Sequence, residues 1–184
     1  FGANLYYMDY KDQLVLTGEL NEIGEAMARN VPDSYRMGVE LMLGVKPCQW
    51  FQWDINGTLS KNRVKNFTEK LYEDEWKNPI EVSHGNTPIA FSPDLILNNR
   101  FSFSYRGFEA ALQSQYVSKQ YMSNARQADQ TLDAYFVSNL NLAYTFKLPH
   151  VKSVTAGFTI YNLFNAEYEN NGYAGSGYKI VKEI

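Results

Sequence analysis

Apolar and polar residues alternate strictly along most of the chain. Met37, Val39, Leu41, Leu43 and Val45 alternate with Gly38, Glu40, Met42 and Gly44. Phe51, Trp53, Ile55, Gly57 and Leu59 alternate with Gln52, Asp54, Asn56, Thr58 and Ser60. Leu95, Leu97, Phe101, Phe103 and Tyr105 stand against Asn98, Arg100, Ser102, Ser104 and Arg106. Three more stretches repeat the pattern, one carrying Phe108, Ala110, Leu112 and Tyr116, the next Phe136, Leu140, Leu142, Tyr144 and Phe146, the last Val154, Ala156, Phe158 and Ile160. A period of two is that of a β-strand with two unlike faces. With a first strand from about Ala3 to Leu16, about seven strands are predicted. No long helix is predicted. Asn21–Arg29 is a short helical candidate, because Ile23, Ala26 and Met27 share a face, but Gly24 weakens it.

The connections alternate in length. Lys46-Pro47-Cys48-Gln49 and Arg106-Gly107 read as short turns, and Leu148-Pro149-His150-Val151-Lys152 is nearly as short. Long polar stretches lie between them, at 17–34, 67–90, 122–132 and from 166 onward. Consecutive antiparallel strands put successive connections at opposite ends of a sheet, so the short turns gather at one end and the long stretches at the other. That is the layout of an outer-membrane barrel. Strands of about 12–16 residues exceed the roughly 9–11 that cross a bilayer, and so project beyond it. Aromatics fall near the short turns: Trp50, Phe51 and Trp53, then Tyr105 and Phe108, then Tyr144 and Phe146. An interfacial girdle gives this pattern; plain strand propensity is the alternative.

Composition narrows the class. The 184 residues carry a formal charge of −3, which lacks the basic footprint of a nucleic-acid binder. Mean hydropathy is −0.41, and no apolar run approaches the roughly 18–20 residues of a transmembrane helix. Transmembrane strands, whose faces alternate, keep mean hydropathy low and stay compatible. Cys48 is alone, so no intrachain disulfide forms. His84 and His150 lie far apart, and no zinc spacing, phosphate loop or nucleophile elbow occurs. The chain is therefore read as a non-enzyme without a cofactor. The acidic run Glu73-Asp74-Glu75 reads as a solvated face, with a cation-attracting loop as the alternative. Both ends read as cuts, and a segment of a longer protein is expected.

One stretch is more specific. Thr159-Ile160-Tyr161-Asn162-Leu163-Phe164-Asn165-Ala166-Glu167-Tyr168, followed by Asn170-Asn171-Gly172-Tyr173, resembles the penultimate barrel strand of TonB-dependent outer-membrane receptors. Tyr7–Val15, the Arg36-Met37-Gly38-Val39-Glu40 start of a descending strand, and Tyr116–Tyr121 with Asn124 are similar to that family in the same order. The resemblance implies an all-β fold: an antiparallel transmembrane β-barrel segment of about seven strands from a barrel of the 22-stranded class. Residues 1–184 would be a C-terminal portion of that barrel, with the plug domain and the final strand absent. It implies location in a Gram-negative outer membrane and import of a scarce nutrient, such as a ferric siderophore, haem, cobalamin or a glycan, with TonB-supplied energy. The implied partners are outer-membrane lipid, TonB through the missing N-terminal part, and the nutrient ligand. A surface lipoprotein is a further candidate, and no nucleic acid is expected.

Ligand-binding residues are expected on the long loops, because loops on a rigid scaffold carry binding. The 67–90 stretch offers Tyr72, Trp76 and His84 among Glu69, Glu73, Asp74, Glu75 and Glu81. Aromatics beside carboxylates can stack on a ligand and orient it; packing of the loop on its neighbours is the competing role. The Asn170–Tyr173 stretch, with Tyr173 as its candidate contact, and the loop around Ser123–Gln130 are second choices. Arg100, Arg106, Glu109, Gln113 and Gln115 are expected to face the plug or a wet lumen. The alternative fold is a soluble β-sandwich that binds carbohydrate or another ligand. It explains the alternation but not the Asn162-Leu163-Phe164-Asn165 context.

Overall fold

The computed structural model describes residues 1–21, 23–71, 80–174 and 180–183. Its elements, all strands, are β1 (Gly2–Leu20), β2 (Ala26–Cys48), β3 (Phe51–Leu71), β4 (Ile80–Pro88), β5 (Leu95–Tyr105), β6 (Phe108–Val117), β7 (Gln120–Tyr121), β8 (Thr131–Leu132), β9 (Tyr135–Leu148), β10 (Val151–Ile160), β11 (Asn171–Ala174) and β12 (Ile180–Glu183). One antiparallel sheet runs in the order β1-β2-β3-β5-β6-β9-β10, and β4 pairs with the upper half of β3. β4 and β5 therefore act as one broken strand, so seven strand positions cross the sheet, as the alternation predicts.

Register sorts the side chains by face. Leu5 lies opposite Val39, Val39 opposite Leu59, and Leu59 opposite Leu95. Farther along, Phe101, Leu112, Leu140 and Ile160 form another such row. All the apolar positions of the alternation thus share one face. That face is uncovered: Leu5 is 77% exposed, Leu59 60% and Phe158 63%. A sandwich would bury it under a second sheet, and no second large sheet exists among the described residues.

The short-turn hairpins are staggered. Phe51, at the foot of β3, faces Phe103, two residues before β5 ends at Tyr105. Phe108, at the foot of β6, faces Tyr144, four residues before β9 ends at Leu148. Each hairpin reaches past the one before it, as the walls of tilted barrels require. Rings gather at these feet. Trp50 stands 5.4 Å from Phe103, and Phe103 stands 6.2 Å from Phe108, centroid to centroid. In the β5–β6 turn, Arg106 and Gly107 both have positive φ, and a Cβ on Gly107 would lie 2.5 Å from the Thr145 carbonyl oxygen. Glycine is required there by both backbone and space.

Two expectations about the other end are corrected. The 17–34 stretch is a hairpin whose connection spans only 21–25, and the 67–90 stretch is strand to Leu71 and again from Ile80. Here the strands stand beyond the apolar band. Neither face meets lipid there, and buried positions are filled by polar residues such as Ser34 and Thr87 as well as by Val31 and Val64, so the alternation that marks a strand fades from the sequence. The helix expected at Asn21–Arg29 does not form. The Asn21 side chain accepts hydrogen bonds from the Ile23 and Glu25 amides at 3.1 and 2.8 Å, and Gly24 sits at φ 83°, which closes a tight turn.

The Asn-Leu-Phe-Asn segment ends β10 by a defined geometry. Asn162 and Asn165 are left-handed, at φ 49° and 50°. The Asn162 amide donates to the Asn139 side chain at 2.9 Å, and its own side chain both accepts from and donates to the Ala166 backbone. Asparagine tolerates this conformation and supplies the local bonds.

Two substitutions on neighbouring residues test the face assignment within the complete parent protein. Leu41→Arg, on the apolar face, is expected to cost about 2–4 kcal/mol in a lipid bilayer, and Met42→Arg, on the polar face, less than about 1 kcal/mol. Urea midpoints of folding into vesicles measure both; equal losses would contradict the assignment.

Candidate functional site

The polar face carries a ladder of amides. Asn56, Asn98 and Gln115 are register neighbours on three adjacent strands. Asn98 donates to Asn56 at 3.0 Å, and Gln115 donates to Asn98 at 3.0 Å. Cross-strand side-chain pairs of this kind fix rotamers on a wet sheet surface. Asp54 and Arg100 are also register partners, yet no ion pair joins them. Asp54 accepts from Gln52 at 2.9 Å, and Arg100 donates to Ser102 at 3.1 Å. Asp54, Arg100 and the three amides of the ladder, together with Gln113 and Asn139, line a cavity of about 500 Å³. It offers amide donors and acceptors, one carboxylate and one guanidinium. Such a surface suits a hydrated lumen or a polar protein partner.

The end away from the short turns is the packed part of the molecule. Val15, Val31, Val64 and Ile89 form a buried cluster with Phe67 against it. After β6 the chain leaves the sheet, forms the β7–β8 pair, and buries Met122 and Leu132 completely. Asn124 ties this loop across the sheet. Its side-chain amide donates to the Leu16 carbonyl on β1 at 2.7 Å, and its side-chain oxygen accepts from the Ala90 amide at 2.8 Å. The Phe91 amide also donates to the Tyr121 carbonyl at 2.8 Å. Gly18 makes the crossing possible. It sits at φ +87°, and a Cβ there would lie 2.1 Å from the Met122 carbonyl oxygen.

Of the residues singled out in the sequence, Tyr72 and Trp76 lie outside the described residues. His84 lies on β4, not on a loop. Its Nε2 is 2.8 Å from a Glu69 carboxylate oxygen, and its ring is 6.1 Å from that of Phe67. Both partners are mostly buried, so His84 and Glu69 brace the β3–β4 hairpin. Tyr173 lies on β11 and, with Phe91, Leu16, Leu20 and Asn171, lines a cavity of about 320 Å³ against β1 and β2. His84 and Tyr173 thus belong to different strands and different surroundings. Arg100, Gln113 and Gln115 do face the polar cavity. Asp54, Asn56, Asn98 and Asn139 were not singled out there, although their place in the alternation marks them. Asn124 was noted only as part of a strand tip, and nothing local signals its bond to Leu16.

The chain matches the family model described as TonB dependent receptor-like, beta-barrel, over residues 1–163. No curated protein matches it. Among solved structures it is similar to the ferric yersiniabactin uptake receptor FyuA from Yersinia pestis, at 18% identity and a TM-score of 0.68, covering 98% of this chain and 24% of that one. The siderophore receptor PiuA from Acinetobacter baumannii is similar at 14% identity and 0.68, covering 98% and 24%. The copper transporter OprC is similar at 17% identity and 0.55, covering 98% and 26%. The chain spans about a quarter of the length of the solved structures it matches.

Loss of the cross-sheet tie has a measurable effect. Asn124→Ala in the parent protein removes two hydrogen bonds, which is expected to cost about 1–3 kcal/mol and to expose the 118–134 segment. Limited proteolysis should cut the variant there first; a wild-type digestion pattern would show that the tie is dispensable.

Proposed function

Because the chain belongs to the TonB-dependent receptor β-barrel family, we propose that it forms part of the wall of an outer-membrane receptor in a Gram-negative cell. Such a receptor binds a scarce nutrient outside and imports it with TonB-supplied energy. Residues 1–184 then form a C-terminal portion of the barrel, and the plug and the TonB-contacting segment lie elsewhere in the receptor. One observation carries this: a single antiparallel sheet with a bare apolar face on one side and an amide-lined face on the other. Lipid covers the first, and water or plug the second. The ligand class it favours is a ferric siderophore, because FyuA is named as a ferric yersiniabactin uptake receptor and PiuA as a siderophore receptor. Copper, for which OprC is named, keeps the choice open to other scarce metals.

Recognition is assigned to the end carrying the packed loops, with Tyr173 as the candidate contact on β11 and Tyr72, Trp76 and His84 as the candidates read from the sequence. Uptake of radio-iron complexes by cells lacking the parent gene tests the function. Uptake of at least one ferric siderophore should fall to background in the deletion strain and in uncoupler-treated wild type. Undiminished uptake across a panel of ferric siderophores, haem, cobalamin and glycans would contradict it. Once the cargo is known, Tyr173→Ala is expected to weaken binding about 3- to 10-fold, the worth of one aromatic contact; titration of the purified receptor measures this, and unchanged affinity would remove Tyr173 from the site.

A further inference from the structure

Two aromatic residues line the cavity of about 320 Å³ between β11 and the β1–β2 hairpin: Tyr173 from β11, and Phe91 from the break between β4 and β5. Both are half-buried, and neither stacks on another ring among the described residues. Tyr135 and Tyr168, by contrast, cover each other at 4.6 Å between centroids. The backbone at Phe91 is unusual as well. It sits at φ 53°, in the left-handed region that a bulky residue rarely enters. Its neighbours hold it there. The Ala90 amide donates to the Asn124 side chain at 2.8 Å, the Phe91 amide to the Tyr121 carbonyl at 2.8 Å, and the Ser92 hydroxyl to the Ala90 carbonyl at 3.3 Å. Glycine would make this turn without strain. What phenylalanine adds is a ring on the cavity wall, and strain of this kind gathers at functional sites.

The rest of the lining fixes the chemistry of the occupant. Leu16, Leu20 and Ala26 are apolar, Asn171 supplies one side-chain amide, and no charged residue among the described ones lines the cavity. Glu25, between the lining residues Gly24 and Ala26, already accepts from the Asn21 side-chain amide at 3.1 Å. The volume is at the small end of the roughly 300–1,000 Å³ of ligand pockets, enough for one or two rings and not for a whole cargo. We propose that Phe91 and Tyr173 hold an uncharged aromatic group at the periphery of the cargo, with Asn171 bonding its polar substituent. A charged or metal-bearing centre is kept out, because nothing in the cavity would balance its charge. This rests on the receptor reading, in which cargo meets the looped end. Phe91 is then a specificity-determining residue, acting through ring contact.

The test uses the complete receptor in deuterated detergent micelles, with benzamide as the probe. Saturation-transfer NMR titration gives its dissociation constant, expected at about 1–10 mM for so small a molecule. Benzoate keeps the ring and adds a charge; cyclohexanecarboxamide keeps the amide and lacks the aromatic ring. Each should bind at least about fivefold more weakly than benzamide. This selectivity needs no variant. Phe91→Leu with Tyr173→Leu should weaken benzamide about tenfold or more, and Phe91→Tyr with Tyr173→Phe should keep most of the binding. Equal affinity for benzoate would overturn the uncharged class, and equal affinity for cyclohexanecarboxamide the aromatic one. No saturable benzamide binding, or equal binding by wild type and the leucine variant, would overturn the site. Outer-membrane fractionation and cargo uptake are followed in parallel. If the wild type fails these, the receptor reading fails; if it passes and the benzamide results go the other way, only the cavity assignment fails.

Discussion

The uncovered apolar face is the constraint on which the rest of the structure depends. Seven strand positions place leucines, valines and aromatic rings on one side, and nothing among the described residues covers them. Burying one such side chain is worth about 1.5–3 kcal/mol, so leaving the whole set in water would cost more than a domain's net stability. Apolar solvent resolves the conflict without a second sheet. The same solvent forbids unpaired backbone polar groups, which explains why the strands run uninterrupted through the band and break only above it, between Pro88 and Leu95. There the β4–β5 interruption is served by other partners. Ala90 bonds Asn124, Phe91 bonds Tyr121, and Ser60 bonds Asp94.

The edges set the second constraint. β1 and β10 each pair on one side only within the described sheet. Neither can stand bare in lipid, and seven strands staggered as these are do not close on themselves at the diameter of a large barrel. The wall is therefore one part of a larger ring. Its packed core sits off the membrane level, where Val15, Val31, Val64 and Ile89 meet and the Asn124 tie joins the loop after β6 to β1. A rigid upper end of this kind can hold binding residues in place while the band below stays anchored in lipid.

Within the band, the architecture was legible residue by residue. Phe51 to Leu59 or Leu95 to Tyr105 face unlike solvents on their two sides, and that difference is written as period two. Above the band the signal fades, because Ala28 to Ser34, Phe67 to Leu71 and Ile80 to Thr87 stand in strands with no lipid face, where polar residues such as Ser34 and Thr87 are buried as well as apolar ones such as Val31. Polarity there was read as loop. The polar cavity was partly legible: Arg100, Gln113 and Gln115 followed from parity, and Asp54, Asn56 and Asn98 obey the same rule. Asn124 was not. Its partner Leu16 lies 108 positions away, and no local pattern encodes a contact that depends on how far a loop reaches across a sheet. His84 was read for its chemistry, whereas its neighbours Glu69 and Phe67 give it a bracing role.

The most direct measurement places a spin label at each position from Val39 to Val45, one at a time, in the complete receptor with Cys48 replaced by serine, reconstituted in lipid. Collision with oxygen reports lipid, and collision with a water-soluble nickel chelate reports water. Oxygen accessibility is predicted to peak at 39, 41, 43 and 45, and nickel accessibility at 40, 42 and 44. Labels at the odd positions protected from both reagents would reveal a protein layer over the apolar face and contradict the account.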